Sequence, residues 1–123
     1  TDVRLSADGE VVVFHDADLD RTTNSTGPIS KREWAYLKQL DAGYGFTRDG
    51  GKSYPFRSIG VRLSRLTEVL VKYPDTRLNI ELKGEDAALT EAFVDVGGEH
   101  VVGAVQRQTM GWAWWRKDTA MQV

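Results

Sequence analysis

The chain carries 123 residues, 41% of them hydrophobic and 28% charged, the balance of one ordinary soluble globular unit rather than of a disordered or fibrous chain. Its 16 basic and 18 acidic side chains leave a formal charge of -2, which provides no basic field for a nucleic-acid backbone, so any anion must be gripped locally. Cysteine is absent, which excludes a disulfide framework and a thiolate metal site, and no apolar run approaches the ~20 residues of a membrane helix. The polar first residues exclude a signal peptide within this stretch, and the composition fits a cytoplasmic or an exported protein equally.

The sequence opens on Thr1 rather than Met with a strand already under way, the pattern of a fragment. Asp2 to Ser6 and Glu10 to Phe14 read as two strands around Ala7-Asp8-Gly9, whose Asp-Gly pair supplies a tight turn, so a hairpin or a hooked strand is expected. Leu19 to Pro28 lacks periodicity and reads as a loop. Ser30-Lys31-Arg32-Glu33 has the spacing of a capping box opening a short helix with Trp34, Leu37 and Leu40. Glycines 43, 45, 50 and 51 with Pro55 make Ala42 to Gly60 a long irregular loop, a length usually tied to function or disorder.

Ser64 is expected to start a second helix with Leu66, Val69, Leu70 and Tyr73 on one face, stopped by Pro74. RLNIELK (77–83) alternates strictly, with Leu78, Ile80 and Leu82 on one face and Asn79, Glu81 and Lys83 on the other. A third helix is read over Glu85 to Val96, a strand over His100 to Val105, and a fourth helix over Met110 to Lys117. Helix and strand alternating from Tyr73 onward predict an α/β fold of parallel strands joined by helical crossovers.

Polar residues at the carboxyl ends of strands in an α/β barrel face the active site, while the aliphatic face packs on helices. On that plan Glu81 and Lys83 project from one strand, His15 ends another, and Asp2 lies in phase with Arg4 on a third. Carboxylates for a hard cation, an imidazole titrating near neutrality and a lysine for an anion are the groups of a metal-dependent hydrolase. Each has a structural reading as well: Glu81 and Lys83 as the solvated face of an antiparallel sheet, Asp2 as a frayed terminal charge. Asp20-Arg21 reads as a loop salt bridge, His100 as structural, and Asn24-Ser25-Thr26 as a bare glycan-acceptor triplet. The tryptophans at 112, 114 and 115 beside Arg116-Lys117 fit burial better than a membrane-surface helix.

The runs TDVRLSADGEVVVFHDADLDRTTNSTG, LDAGYGF, SYPFRSIGV and LTEVLVKYPDTRLNIELK together resemble the glycerophosphodiester phosphodiesterase family, over Thr1 to about Lys83. The resemblance implies part of a TIM (β/α)8 barrel, about three or four of its eight strands, since the complete barrel takes ~250 residues. It implies hydrolysis of a glycerophosphodiester, a small-molecule substrate, to an alcohol and glycerol 3-phosphate with one divalent cation, Mg2+ or Ca2+. Asp2 matches the Asp of the family's Glu-x-Asp metal ligands and Glu81 the later Glu, while the first Glu would precede Thr1. His15 resembles the second of two histidines that exchange protons with the attacking and leaving oxygens, and Lys83 the lysine that contacts substrate near the metal.

The other family histidine, with its arginine, would also lie upstream, so residues 1–123 alone are expected to be inactive. Leu63-Ser64-Arg65-Leu66-Thr67-Glu68 departs from the family's Ile-Pro-Thr-Leu-Glu-Glu, and Ala104-Val105 replaces a Ser-Phe pair. Two rival functions follow: a non-catalytic remnant that binds lipid headgroups or partner proteins, and a lysophospholipid-specific phosphodiesterase distinguished by an apolar groove along Ala42 to Gly60.

Overall fold

A computed structural model describes residues 1–84, 87–97, 103–107 and 112–115. The elements in order are β1 (Asp2–Leu5), β2 (Val11–Val13), a 3-10 turn (Ile29–Lys31), α1 (Trp34–Leu37), α2 (Leu66–Lys72), β3 (Ile80–Leu82), α3 (Ala87–Gly97), β4 (Gly103–Arg107) and β5 (Trp112–Trp115). They form an α/β fold around one mixed sheet of order β2-β1-β3-β4-β5. The three central strands are parallel, as the helix-strand alternation predicts, and α3 makes the crossover from β3 to β4.

The two flanking strands are antiparallel: β2 forms the expected hairpin, whereas the last strand departs from the sequence expectation. β2 returns antiparallel to β1, with Val3 opposite Val13 and Leu5 opposite Val11. The Asp-Gly turn drives this reversal: Gly9 sits at φ 86°, its amide donates to Ser6 O, and Ser6 N donates to Glu10 O. At the other edge, Trp112–Trp115 is a strand paired antiparallel to β4 from Gly103–Trp115 to Gln106–Trp112, in place of the fourth helix expected over Met110 to Lys117. Three tryptophans in four residues favour a pleated strand over one turn of helix. His100, Arg116-Lys117 and the expected start of α3 at Glu85 lie outside the described residues.

The valine run explains itself through burial on both faces. Val11 packs with Val3, Leu66, Leu70, Ile80, Leu82, Leu89 and Phe93, beneath α2 and α3. Val12 points the other way, into Phe14, Leu19, Ile29, Leu37, Leu40 and Leu63, under α1 and the loops. A strand covered on both sides reads as continuous apolar sequence rather than as alternation. Its outer edge is covered too: Val13 N donates to Ser64 O, and Val12 bridges Arg65, so the segment leading into α2 shields the unpaired edge.

The helix starts differ from the sequence expectation. Ile29–Lys31 closes its own 3-10 turn and Arg32 is extended, so Ser30 cannot cap α1. Asp8 from the hairpin does so instead, its Oδ1 accepting from Trp34 N at 2.9 Å and from Ser6 Oγ at 2.6 Å. In α2 the N-cap is Arg65 rather than Ser64, and the Glu68 carboxylate reaches back to Arg65 N at 2.7 Å. No helix among the described residues is long and apolar enough to cross a membrane.

Leu66 is fully buried between α2 and the sheet, whereas Val71 on the same helix is 75% exposed. Leu66→Ala is expected to cost about 2–5 kcal/mol by transfer and cavity terms, and Val71→Ala to stay within about 0.5 kcal/mol. Urea denaturation of the two variants checks the contrast.

Candidate active site

The polar site is built by the register between β1 and β3. Parallel pairing sets Asp2 beside Glu81 and Val3 beside Leu82. Val3 and Leu82 are buried in the core beneath the helices, so the alternation of the pleat turns Asp2 and Glu81 to the opposite face. Two like charges directly across a ladder repel unless a cation lies between them. Lys83, two residues beyond Glu81 on the same face, supplies it: its Nζ lies 2.8 Å from Glu81 Oε1 and 3.8 Å from Asp2 Oδ1. The lysine side chain is only 11% exposed. Its hydrogen bond is the main reason the Glu81 carboxyl sits below the usual carboxylate range, with His15 among the smaller contributors.

Arg4 follows Asp2 on this face and braces the site. Its Nε donates to His15 O at 2.9 Å and its Nη1 to Lys83 O at 3.0 Å, tying the ends of β2 and β3 together. Burial lowers the guanidinium pKa against the pull of Asp16, Asp18 and Asp2. His15 leaves β2 just past Phe14, whose amide donates to Asp2 O, so the histidine enters the loop beside the carboxylate pair.

The His15 ring is 60% exposed, and its Nδ1 lies 2.7 Å from Asp16 Oδ1. Asp16 in turn receives Arg21 Nε on Oδ2 at 2.6 Å and Nη2 on Oδ1 at 3.0 Å, a two-point clamp. Arg21 therefore pairs with Asp16 and not with Asp20, contrary to the expected Asp20-Arg21 bridge. Asp20 instead accepts the Gly27 amide, which closes the 19–27 loop. Within the glycan-acceptor triplet, Asn24 Oδ1 accepts from Asp41 N and Ser25 Oγ meets Tyr36 OH at 2.8 Å.

The 42–60 loop is stapled rather than loose. Buried Asp41 accepts from Gly43 N and Ser58 N, and the Arg57 guanidinium lies 4.0 Å from the Tyr44 ring centroid and 3.8 Å from that of Tyr54. Gly45 rests against the Arg21 backbone so closely that a Cβ would lie 2.0 Å from Arg21 O, which locks this loop to the one carrying the clamp.

Asp2, Glu81 and Lys83 thus meet at one end of the parallel pair, and His15 follows Phe14, whose amide is bonded to Asp2 O. Arg4 and Asp16 bond to these residues as well, and Arg21 to Asp16, and sequence reading did not single them out for the site. Asp16 stood in the FHD run without a partner to signal its role, and Arg21 carried a nearer acidic neighbour. Among the described residues no group of three or more His, Cys, Asp or Glu side chains is placed to hold a metal. Two carboxylates converge here, an oxygen donor set of the kind Mg2+ takes together with waters and substrate phosphate.

The model of the glycerophosphoryl diester phosphodiesterase family matches residues 1–121. The chain belongs to that family. A glycerophosphodiester phosphodiesterase of Bacillus subtilis is 34% identical over 90 residues, covering 69% of this chain and 29% of the relative. Among solved structures, the glycerophosphoryl diester phosphodiesterase domain of a Mycobacterium tuberculosis protein superposes with a TM-score of 0.72 at 25% identity, covering 88% of this chain and 40% of that one. An Oleispira antarctica phosphodiesterase, solved in complex with the product sn-glycerol-3-phosphate, gives a TM-score of 0.67 at 35% identity over 86% of this chain and 43% of that one. This family member spans under a third of the length of the Bacillus relative and about two fifths of those two structures.

Hydrogen bonds from Arg21 and His15 hold the Asp16 carboxyl well below the usual carboxylate range. A depressed folded pKa means that the clamp's contribution is complete above the unfolded value near ~3.9 and fades as pH falls below it. Carbon-detected NMR titration of Asp16 should give a midpoint below that value, moving upward in Arg21→Ala. An unmoved midpoint would show that the clamp is not formed.

Proposed function

We propose that this chain supplies part of the active site of a metal-dependent phosphodiesterase that hydrolyses glycerophosphodiesters to an alcohol and glycerol 3-phosphate. The observation that carries this reading is the convergence of Asp2, Glu81 and Lys83 across the β1–β3 pair, next to His15, in a member of a phosphodiesterase family. The product complex of the Oleispira relative supports the same substrate class. The parallel β1–β3–β4 triplet with its α3 crossover supports an arc of a (β/α)8 barrel, whose catalytic groups gather at the strands' carboxyl ends.

In this reading Asp2 and Glu81 hold one divalent cation, Mg2+ or Ca2+, with hard carboxylate oxygens. When bound, that cation neutralises the phosphodiester anion, which otherwise repels an attacking oxygen. Lys83 has three donors and spends one on Glu81, so its ammonium can also reach a phosphate oxygen while the carboxylates keep it in place. His15 is the exposed imidazole next to them, and it takes a proton from the attacking oxygen or returns one to the leaving oxygen. Arg4 keeps the His15 and Lys83 main chains at fixed separation throughout.

Assay of the intact protein on glycerophosphocholine tests the reading. His15→Ala should lower turnover by about 10²–10⁴-fold with the fold retained, and excess chelator should stop release of glycerol 3-phosphate by the wild type. Full turnover in His15→Ala removes the proton-transfer role, and chelator-insensitive release removes the role given to Asp2 and Glu81.

A further inference from the structure

We infer that Asp16 and Arg21 are positioning residues that hold the His15 ring in one tautomer and orientation, with Nδ1–H donating to Asp16 and Nε2 left free for the reacting oxygens. The inference rests on the proposed role of His15 and extends it to two residues that make no contact with Asp2, Glu81 or Lys83 among the bonds and ion pairs described above.

The geometry runs as a chain of three. An ionised carboxylate only accepts, so the 2.7 Å contact between Asp16 Oδ1 and His15 Nδ1 places the proton on Nδ1. The other nitrogen then carries the lone pair in the neutral ring, the form a proton acceptor needs. A carboxylate on a free rotor would hold the ring loosely, but Arg21 engages both Asp16 oxygens, at 2.6 and 3.0 Å, which fixes the plane of the carboxyl group. Arg4 fixes the other end of the residue through the His15 carbonyl, so both the ring and the backbone of His15 are held. When the ring takes up a proton, the adjacent carboxylate stabilises the resulting charge.

Stability alone gives little reason for this clamp. The Arg21 side chain is 66% exposed and Asp16 is partly exposed, and ion pairs in such surroundings contribute little to folding. Geometry is what the pair does supply, together with the contact of Gly45 against the Arg21 backbone, which anchors the clamp's outer end to the 42–60 loop. A group whose stabilising value is small and whose orienting value is large belongs to the site's function.

The test uses the intact protein with selectively 15N-labelled histidine, and kinetics on glycerophosphocholine. In the wild type the His15 Nδ1 resonance should fall in the protonated range and Nε2 in the unprotonated range at alkaline pH. Asp16→Asn should exchange or mix the two, because the amide can donate to Nδ1. The same variant should lower kcat by about 10²-fold with KM little changed, the size expected of a misplaced reacting group, and Arg21→Lys should recover more of kcat than Arg21→Ala. In a His15→Ala background, Asp16→Asn should cause no further loss. Overturning results are an Nε2-protonated wild type, an unaltered kcat in Asp16→Asn, or additive losses in the double variant. Wild-type turnover in His15→Ala would remove the catalytic reading itself, and the ring-nitrogen resonances then decide the geometry independently.

Discussion

The parallel pairing of β1 with β3 in one register is the constraint on which the site depends. Glu81 N donates to Thr1 O at 2.8 Å and Lys83 N to Val3 O at 3.0 Å, so the ladder itself sets Asp2 opposite Glu81. A slip of one residue would turn Ile80 and Leu82 away from the core and bury Glu81 and Lys83 among Leu66, Leu89 and Phe93. Burying those charges in apolar surroundings costs several kcal/mol each by ~Born-type desolvation. Hydrophobic burial on one face thereby enforces charge convergence on the other. The repulsion of the two carboxylates is tolerated because the lysine lies between them.

The same economy governs β2. Val11 and Val12 are buried on opposite faces, and only where the strand ends does a polar residue emerge, which is where His15 and Asp16 stand. The backbone at that point is not left free: Phe14 N is bonded to Asp2 O, and the His15 carbonyl to Arg4. A rigid, doubly covered strand therefore delivers the imidazole to a place set by its neighbours. Loops then add orientation, through Asp16 and Arg21, without adding core.

Much of this could be read from the residues. The alternation of RLNIELK assigned Glu81 and Lys83 to one face, the Asp-Gly turn gave the hairpin, and FHD with NIELK gave the family. What escaped was what depends on the chain folding back. Ser30 and Ser64 had the local spacing of caps, yet Asp8 reaches α1 from 26 residues away and Glu68 caps the Arg65 amide one position later than expected. Asp20 adjoins Arg21 in sequence, but the loop turns it toward Gly27 and brings Asp16 to the guanidinium. Arg4 looked like any exposed strand residue, since nothing local reveals that two carbonyls wait for it. The strand at Trp112–Trp115 was hidden because four aromatic-rich residues satisfy either periodicity, and pairing with β4 decides between them.

The divalent cation proposed to bridge Asp2 and Glu81 is the most direct point of attack on this arrangement. Crystals of the intact protein soaked in Mn2+, whose anomalous signal locates it without ambiguity, should show one peak with oxygens from both Asp2 and Glu81 within about 2.0–2.6 Å, the range of hard-cation carboxylate bonds. A peak bound by only one of the two carboxylates, or sited away from the β1–β3 pair, would contradict a site built on their convergence.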